Sequence, residues 1–287
     1  MSSPFTDLDR PPLSQRSLER ALVTPGSFWS RLEVRAETAS TNADVAVAAA
    51  KGASEGLVIV AERQTAGRGR RDRQWTSPTR AGLTLSVLLR PGVADGERDW
   101  AALPPASFAW LPLLAGVALR EAVERVAEVE AVLKWPNDLL VKVDDGWGKC
   151  AGILAEVSGD AVVVGIGLNV TTSVEELPET TGLPATSLRV AGAAVTDRDP
   201  LLRVLLRGLA SWYAGWRDAG GDAEMSGLLA AYRRGCATIG RPVRVLLPDG
   251  AMLTGEATEV DKSGQLIVRT VDGTDHRVSA GDVLHVR

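Results

Sequence analysis

Apolar residues fall along this chain in two kinds of pattern. Leu57-Val58-Ile59-Val60-Ala61 is a continuous apolar run and predicts a buried strand over 57–62. Gly82 to Leu89 alternates loosely, is rich in β-formers at its centre, and stops at the turn signal Arg90-Pro91-Gly92. Residues 27–37, with Trp29, Leu32 and Val34, predict an earlier strand leading into Thr38-Ala39-Ser40-Thr41-Asn42. Val132 to Trp135 and Leu139 to Val141 read as two strands joined at Pro136. Lys149 to Val157 and Ala161 to Val170 read as a hairpin turning at Ser158-Gly159-Asp160.

Other stretches repeat at helical spacing. After Pro112, which suits a first turn, Leu114, Ala118, Ala122, Val126 and Val129 recur with Arg120, Glu121, Glu124 and Arg125 between them. Short helices are expected at 13–22 and at 43–51, the latter capped by Ser40 or Thr41. Two more are expected at about 198–218 and 222–234. Residues 1 to about 12 are polar and proline-containing and predict a loose tail. From residue 237 the pattern becomes four short β-rich runs, 241–247, 251–260, 265–270 and 275–286, parted by Pro248-Asp249-Gly250, Lys262-Ser263-Gly264 and Asp272-Gly273. The reading is an α+β domain over 1–236, a mixed and largely antiparallel sheet flanked by helices, followed by a small all-β module over 237–287, expected to be a barrel.

The composition is that of an ordinary globular chain: 287 residues, 45% hydrophobic and 24% charged. A net charge of −4 argues against general affinity for nucleic acid. Two cysteines, Cys150 and Cys236, are too few for a disulfide framework and fit a reducing cytoplasm. The N-terminus lacks the order of a signal peptide, and no uncharged apolar run reaches membrane-spanning length, so neither export nor a membrane partner is expected. The only histidines, His276 and His285, lie near the C-terminus, which disfavours a histidine metal site or triad.

Against that acidic background, one loop is conspicuously basic. Gln64-Thr65-Ala66-Gly67-Arg68-Gly69-Arg70-Arg71-Asp72-Arg73-Gln74-Trp75 leaves the end of a strand with four arginines in six residues. Its glycines let backbone N–H groups approach an anion, and its arginines supply fixed positive charge. It lacks the last glycine of a dinucleotide fingerprint and the Gly-Lys-Ser/Thr ending of a P-loop. A solvated basic loop is the plain alternative on charge alone. Three further stretches could carry chemistry: Lys134-Trp135-Pro136-Asn137-Asp138, Gly148-Lys149-Cys150-Ala151-Gly152-Ile153-Leu154-Ala155-Glu156 and Gly165-Ile166-Gly167-Leu168-Asn169-Val170. Each has a bland reading beside it: a surface turn, a snorkelling lysine, a bulge. Cys150, in an apolar strand, reads as core.

Taken in order with Ser40-Thr41-Asn42, these stretches resemble the motif series of biotin protein ligases, densely from Ser40 to Asn169. The resemblance implies a catalytic fold like that of class II synthetases and makes the C-terminal module that family's SH3-like barrel. It implies biotin-binding positions at Ser40, Thr41, Asn42, Gln64 and Gly152, with Arg68, Gly69 and Arg70 in a loop that folds over biotin and its adenylate. Lys149 takes the position that contacts the biotin carboxyl group and the phosphate. Gly67, Arg70, Arg71, Trp75, Asn137, Asp138, Lys149, Gly167 and Asn169 fall on the ATP side. Lys149, Arg68 and Asp138 are the implied catalytic groups, with Asp138 orienting or deprotonating the acceptor lysine. Asp72 stands where relatives usually carry glycine, and the helix-turn-helix of bifunctional members does not fit before Ser40.

The implied reaction joins biotin to ATP, with Mg²⁺ carried by the phosphates, and passes biotin to a lysine of a biotin carboxyl carrier domain of acetyl-CoA carboxylase or a related carboxylase. It brings two anions together, a repulsion of about 4 kcal/mol at about 4 Å and an effective dielectric of about 20. Arg68, Arg70 and Lys149 would offset it. Lipoate ligation is the near rival, and the arginine–glycine loop favours biotin. Nucleic-acid binding through the basic loop and the β module is the distant one, and no specific DNA binding is expected.

Overall fold

The computed structural model describes residues 10–71, 73–144, 146–180 and 182–286. Most of the tail expected to be loose, and Asp72, lie outside the described residues. Two contacts are made at the tail's described end. Leu13 N–H donates to Glu62 Oε1 at 2.6 Å, and Arg198 Nη2 donates to the Pro11 carbonyl at 2.6 Å.

The element order is α1 (Gln15–Leu22), β1 (Arg31–Arg35), α2 (Thr41–Ala50), β2 (Leu57–Ala61), β3 (Gly82–Leu89), α3 (Trp110–Val126), β4 (Ala131–Lys134), β5 (Asp138–Val143), β6 (Gly146–Ser158), β7 (Ala161–Asn169), α4 (Arg198–Asp218) and α5 (Leu228–Gly235). The strands form one sheet in the order β1-β2-β3-β7-β6-β5-β4. β1 and β2 run parallel and the other neighbours antiparallel, the mixed sheet that the sequence predicts. α5 is shorter than the expected 222–234. Asp222 takes the N–H groups of Glu224 and Met225 into a turn, and Gly227, at φ 75°, delays the helix start.

The two faces of the sheet differ, and the difference places the site. On one face Leu83, Leu85 and Val87 of β3, Val164, Ile166 and Leu168 of β7, and Ala151 and Ile153 of β6 join a single core with α3 and α4. α3, with the short 3₁₀ turn Pro105–Ala109 before it, is long and apolar enough to cross a membrane by composition, but 61% of that window is buried inside the protein. On the other face, the alternate positions are small or polar: Thr84 and Ser86, Gly165 and Gly167, Gly152. α2 packs there against β2, β3, β6 and β7. Its contribution to the core is the small cluster of Val45, Ala49, Leu57, Ile59, Leu88, Ala161 and Val163.

The C-terminal strands β8 (Arg241–Leu246), β9 (Met252–Val260), β10 (Leu266–Arg269), β11 (Asp275–Val278) and β12 (Asp282–His285) form a second sheet in the order β11-β10-β9-β8-β12. The single run expected at 275–286 is two strands, because the chain crosses at residues 279–281 from one sheet edge to the other. β11 and β12 are the two edges, with no pairing between them among the described residues. The module is therefore an antiparallel sheet without the closed barrel that the sequence led us to expect. Its apolar residues Val243, Val245, Ala257, Val260, Leu266 and Val268 are continuous with the main core. Trp110 and Trp135, both buried, donate their indole N–H groups to the carbonyls of Lys262 and Gly264 at 2.8 and 3.0 Å.

Candidate functional site

The site is built on one line of residues crossing the whole sheet. Arg35, Ala61, Thr84, Gly167, Gly152, Asp138 and Lys134 are successive register partners from β1 to β4. Cross-strand partners share a face, so this row runs along the small and polar side of the sheet. The absence of side chains at Gly167 and Gly152 makes a floor at its centre.

Lys149 reaches that floor through a bulge. Asp138 pairs with Gly152 and Leu139 with Ala151, but Leu140 pairs with Lys149, so Cys150 is the extra residue. Residues three apart on a regular strand face opposite ways, and the bulge restores Lys149 to the face of Gly152 and Asp138. Its ammonium lies 2.6 Å from Asp138 Oδ1, while Lys134 Nζ is 3.7 Å from Oδ2. Burial pulls the Lys134 ammonium below the usual lysine range, and the neighbouring Lys149 charge adds to the shift against Asp138. Asn137 donates its amide to the Ile153 carbonyl at 2.9 Å, and its Oδ1 accepts from Arg70 Nη1 at 3.2 Å. Burial also lowers the Arg70 pKa. The result is a cationic cluster of Arg70, Lys134 and Lys149 around one carboxylate. Cys150 is wholly buried, and desolvation pushes its thiol far up, as a core cysteine requires.

The polar half lies under the N-terminus of α2. Ser40 caps the helix, its Oγ accepting from Ala43 N at 3.5 Å. Gln64 Oε1 accepts from Thr41 N at 2.8 Å and Thr41 Oγ1 at 3.1 Å. Ser86 Oγ lies 2.7 Å from Thr41 Oγ1 and 2.6 Å from Asn42 Oδ1. Asn42 Nδ2 donates to Glu156 Oε2 at 2.6 Å, and the same oxygen pairs with Arg68 Nη2 at 3.2 Å. Gly165 makes room for this network: a Cβ there would lie 2.1 Å from Asn42 Oδ1.

The basic loop joins the two halves. Thr65 and Ala66 N–H groups donate to the Thr38 and Ala39 carbonyls, each at 2.9 Å, and Trp75 N–H donates to the Gly67 carbonyl at 2.9 Å. Gly69 N–H donates to the Arg73 carbonyl at 2.6 Å, closing a tight hairpin. Gly67 is obligatory, since a Cβ would lie 2.3 Å from the Trp75 carbonyl oxygen. Trp75 lands on the glycine floor beside Gly167 and Gly152, and its buried Nε1 has no hydrogen-bond partner among the described residues.

The fold thus gathers Thr41, Asn42, Gln64, Arg68, Arg70, Trp75, Asn137, Asp138, Lys149, Gly152 and Gly167 along one face. It does not bring the Arg71 side chain to the same place, whereas Asn169, two residues from Gly167 on β7, shares that strand face. Arg71 reaches the small sheet, donating to the Leu247 carbonyl at 2.9 Å. Asn169 is buried and donates to the Thr186 carbonyl at 3.0 Å, holding the segment after β7. Sequence reasoning missed Ser86, Glu156 and Lys134. A serine in an otherwise apolar strand, and a glutamate and a lysine inside motifs already singled out, were the available signals.

A sheet face that unites a polar amide pocket, a glycine floor and a cluster of cations is the layout of an acid-activating ligase, and the comparisons agree. The model of the biotin/lipoate A/B protein ligase family matches residues 38–172, and that of the biotin protein ligase C terminal domain matches residues 238–286. The biotin–[acetyl-CoA-carboxylase] ligase of Mycobacterium tuberculosis is 44% identical over 289 residues, 99% of this chain and 100% of that one. The ligase of the same name from Paracoccus denitrificans is 33% identical, over 82% of this chain and 92% of that one. The solved biotin protein ligase of Aquifex aeolicus in complex with biotin and ATP superposes with a TM-score of 0.71 at 27% identity, over 90% of this chain and 100% of that one. The chain belongs to the biotin protein ligase family.

Proposed function

We infer that the chain is an ATP-dependent biotin–[biotin carboxyl-carrier protein] ligase, with the biotin and ATP site in residues 1–236 and the module in 237–287. In the first step a biotin carboxylate oxygen bonds to the α-phosphorus of ATP. The bond from that phosphorus to the bridging oxygen breaks, and biotinyl-5′-AMP and pyrophosphate form. In the second step a lysine amine of the carrier attacks the acyl carbon, loses a proton, and AMP leaves. The acceptor we propose is a biotin carboxyl carrier domain of acetyl-CoA carboxylase or a related carboxylase; the name of the M. tuberculosis relative gives acetyl-CoA carboxylase.

The observation that carries this reading is the continuity of the row Thr84–Gly167–Gly152–Asp138–Lys134 between the amide pocket and the cations. Thr41, Asn42 and Gln64 supply the donors and acceptors that a neutral cyclic urea needs. The Trp75 indole, packed on the glycine floor, offers an apolar wall for the chain of the ligand. Lys149, Arg70 and Lys134 then meet the carboxylate and the α-phosphate, offsetting their repulsion and charge developing on the transferring group. Both Asp138 oxygens are already engaged by lysines, so Asp138 orients an incoming amine only by exchanging one of those contacts. Mg²⁺ enters with the nucleotide as MgATP and supplies Lewis-acid polarisation of the phosphates. Among the described residues no three His, Cys, Asp or Glu side chains group as a metal cage. Glu156 holds Arg68 and Asn42 together, so the amide pocket and the loop share one carboxylate.

Incubation with biotin, MgATP and a carrier domain should add one biotinyl group to the carrier, read by intact mass. Lipoate in place of biotin should add nothing. No transfer from biotin, or equal transfer from lipoate, refutes the reading.

A further inference from the structure

The tip of the basic loop does not end in solvent. Arg73 Nη2 donates to both carboxylate oxygens of Asp282, at 2.7 and 2.8 Å. Arg71 Nη1 lies 3.5 Å from the same carboxylate, and its Nη2 donates to the Leu247 carbonyl at 2.9 Å and the Leu246 carbonyl at 3.3 Å. Arg70 Nη1, which meets Asn137 on the site, also donates to the Gly281 carbonyl at 3.3 Å. The three arginines of the tip are therefore received by one corner of the C-terminal sheet, and Arg68 alone turns to Glu156.

That corner is built into the small sheet. Asp282 opens β12 and pairs in register with Leu246 of β8. Gly281 is packed so closely that a Cβ would lie 2.7 Å from Val245 Cγ1 and 3.1 Å from the Leu246 carbonyl oxygen. At its base the hairpin is tied by backbone bonds to residues 38 and 39, between β1 and α2, so base and tip are held by different parts of the chain. One carboxylate placed between two arginines offsets part of the mutual repulsion that would push the tip apart.

We propose that Asp282 is a positioning residue for ligation: through Arg73 and Arg71 it anchors the loop so that Arg70 faces Asn137 and Trp75 stays on Gly167, and it thereby sets how long the acyl-adenylate is held. The inference rests on the ligase reading and deepens it by giving the C-terminal module a part in the site. Asp282 touches no reacting atom, so its effect should fall on retention of the intermediate and not on capture of biotin.

The test uses the full chain as wild type, Asp282→Asn, Arg73→Gln and the double variant. The readouts are hydrogen exchange of residues 67–75 in the protein alone, biotin affinity, and loss of labelled adenylate after dilution. The Arg–Asp pair is partly exposed, so each single variant should speed adenylate loss by about fivefold. The double variant should do no more than Asp282→Asn alone, because that change already removes the Arg73 contact. Biotin affinity should stay at the wild-type value, and added salt should move wild type toward the variants. Additive losses, or a fall in biotin affinity equal to the rise in release, would mean general loosening and overturn the role. Adenylate made and held as in wild type, with loop exchange unchanged, also overturns it. A wild type that makes no adenylate while loop exchange still rises in the variants overturns the ligase reading and leaves the anchor standing.

Discussion

Trp75 sits on Gly167 so closely that a Cβ on the glycine would lie 2.4 Å from the indole Cε2. At Gly152, the neighbouring glycine of the same row, a Cβ would meet Trp75 Cζ3 at 3.6 Å, ordinary contact. Gly167→Ala should therefore lift the indole from the floor, while Gly152→Ala should not. Overpacking of this kind costs about 1–3 kcal/mol. We expect Gly167→Ala to weaken adenylate formation at least tenfold and to lower the melting temperature, with Gly152→Ala much closer to wild type in stability. Pyrophosphate exchange and thermal melts on the pair are decisive, and equal effects at both glycines would refute the floor.

Lys149→Ala should keep the fold and lose the first step. Its side chain is partly exposed, and Asp138 keeps Lys134 as a partner after the change. Loss of a cation aimed at developing charge costs roughly 10²–10³ in rate. Pyrophosphate exchange within about threefold of wild type would show that Lys149 does not face the phosphate.

Arg68→Lys separates a fixed clamp from a general attractor. The Arg68–Glu156 contact is single and half exposed, so the melt should barely move. Lysine keeps the charge but not the planar fork that makes paired contacts. We expect the variant to release biotinyl-5′-AMP faster and to label unrelated lysines as transfer to the carrier falls. Retention equal to wild type at several salt concentrations would reduce Arg68 to part of the field.

His285 gives a pH dependence with a definite sign. Burial, with Lys134 and Arg241 nearby, lowers its pKa from 6.5 to about 4. Thr238 Oγ1 accepts from Trp135 N–H at 3.1 Å and lies 3.1 Å from His285 Nε2, as a hydroxyl donating to a neutral ring would. The folded chain resists protonation here, so this stability is full above about 6.5 and is lost as pH falls to about 4. After discounting for partial exposure the loss is about 1–2 kcal/mol. The stability difference between wild type and His285→Gln should shrink over that window, and a difference independent of pH would refute the assignment.

Much of the fold was legible because it obeys local rules. Apolar runs located β2 and β7, helical spacing located α3 and α4, and Ser40 marked the start of α2. The motifs named most of the site face for the same reason, being continuous in sequence. What sequence could not give was register. The extra residue at Cys150 turns Lys149 toward Asp138, and no local signal separates a bulge from a regular strand. Ser86 and Glu156 reach Asn42 only because β3, β7 and β6 are neighbours. The crossing at 279–281 likewise depends on which edge each short strand finds.

The two tryptophans that hold the small sheet give the molecule an optical reporter. Trp110 and Trp135 are buried, and each spends its indole N–H on a carbonyl at the turn between β9 and β10. Parting of the module from the core would strip both donors together and open both rings to water, shifting their emission to longer wavelength. Phenylalanine at those two positions would silence the shift while the other six of the chain's eight tryptophans kept their signal. Fluorescence can thus follow the separation of the two sheets apart from the loss of strands within either one.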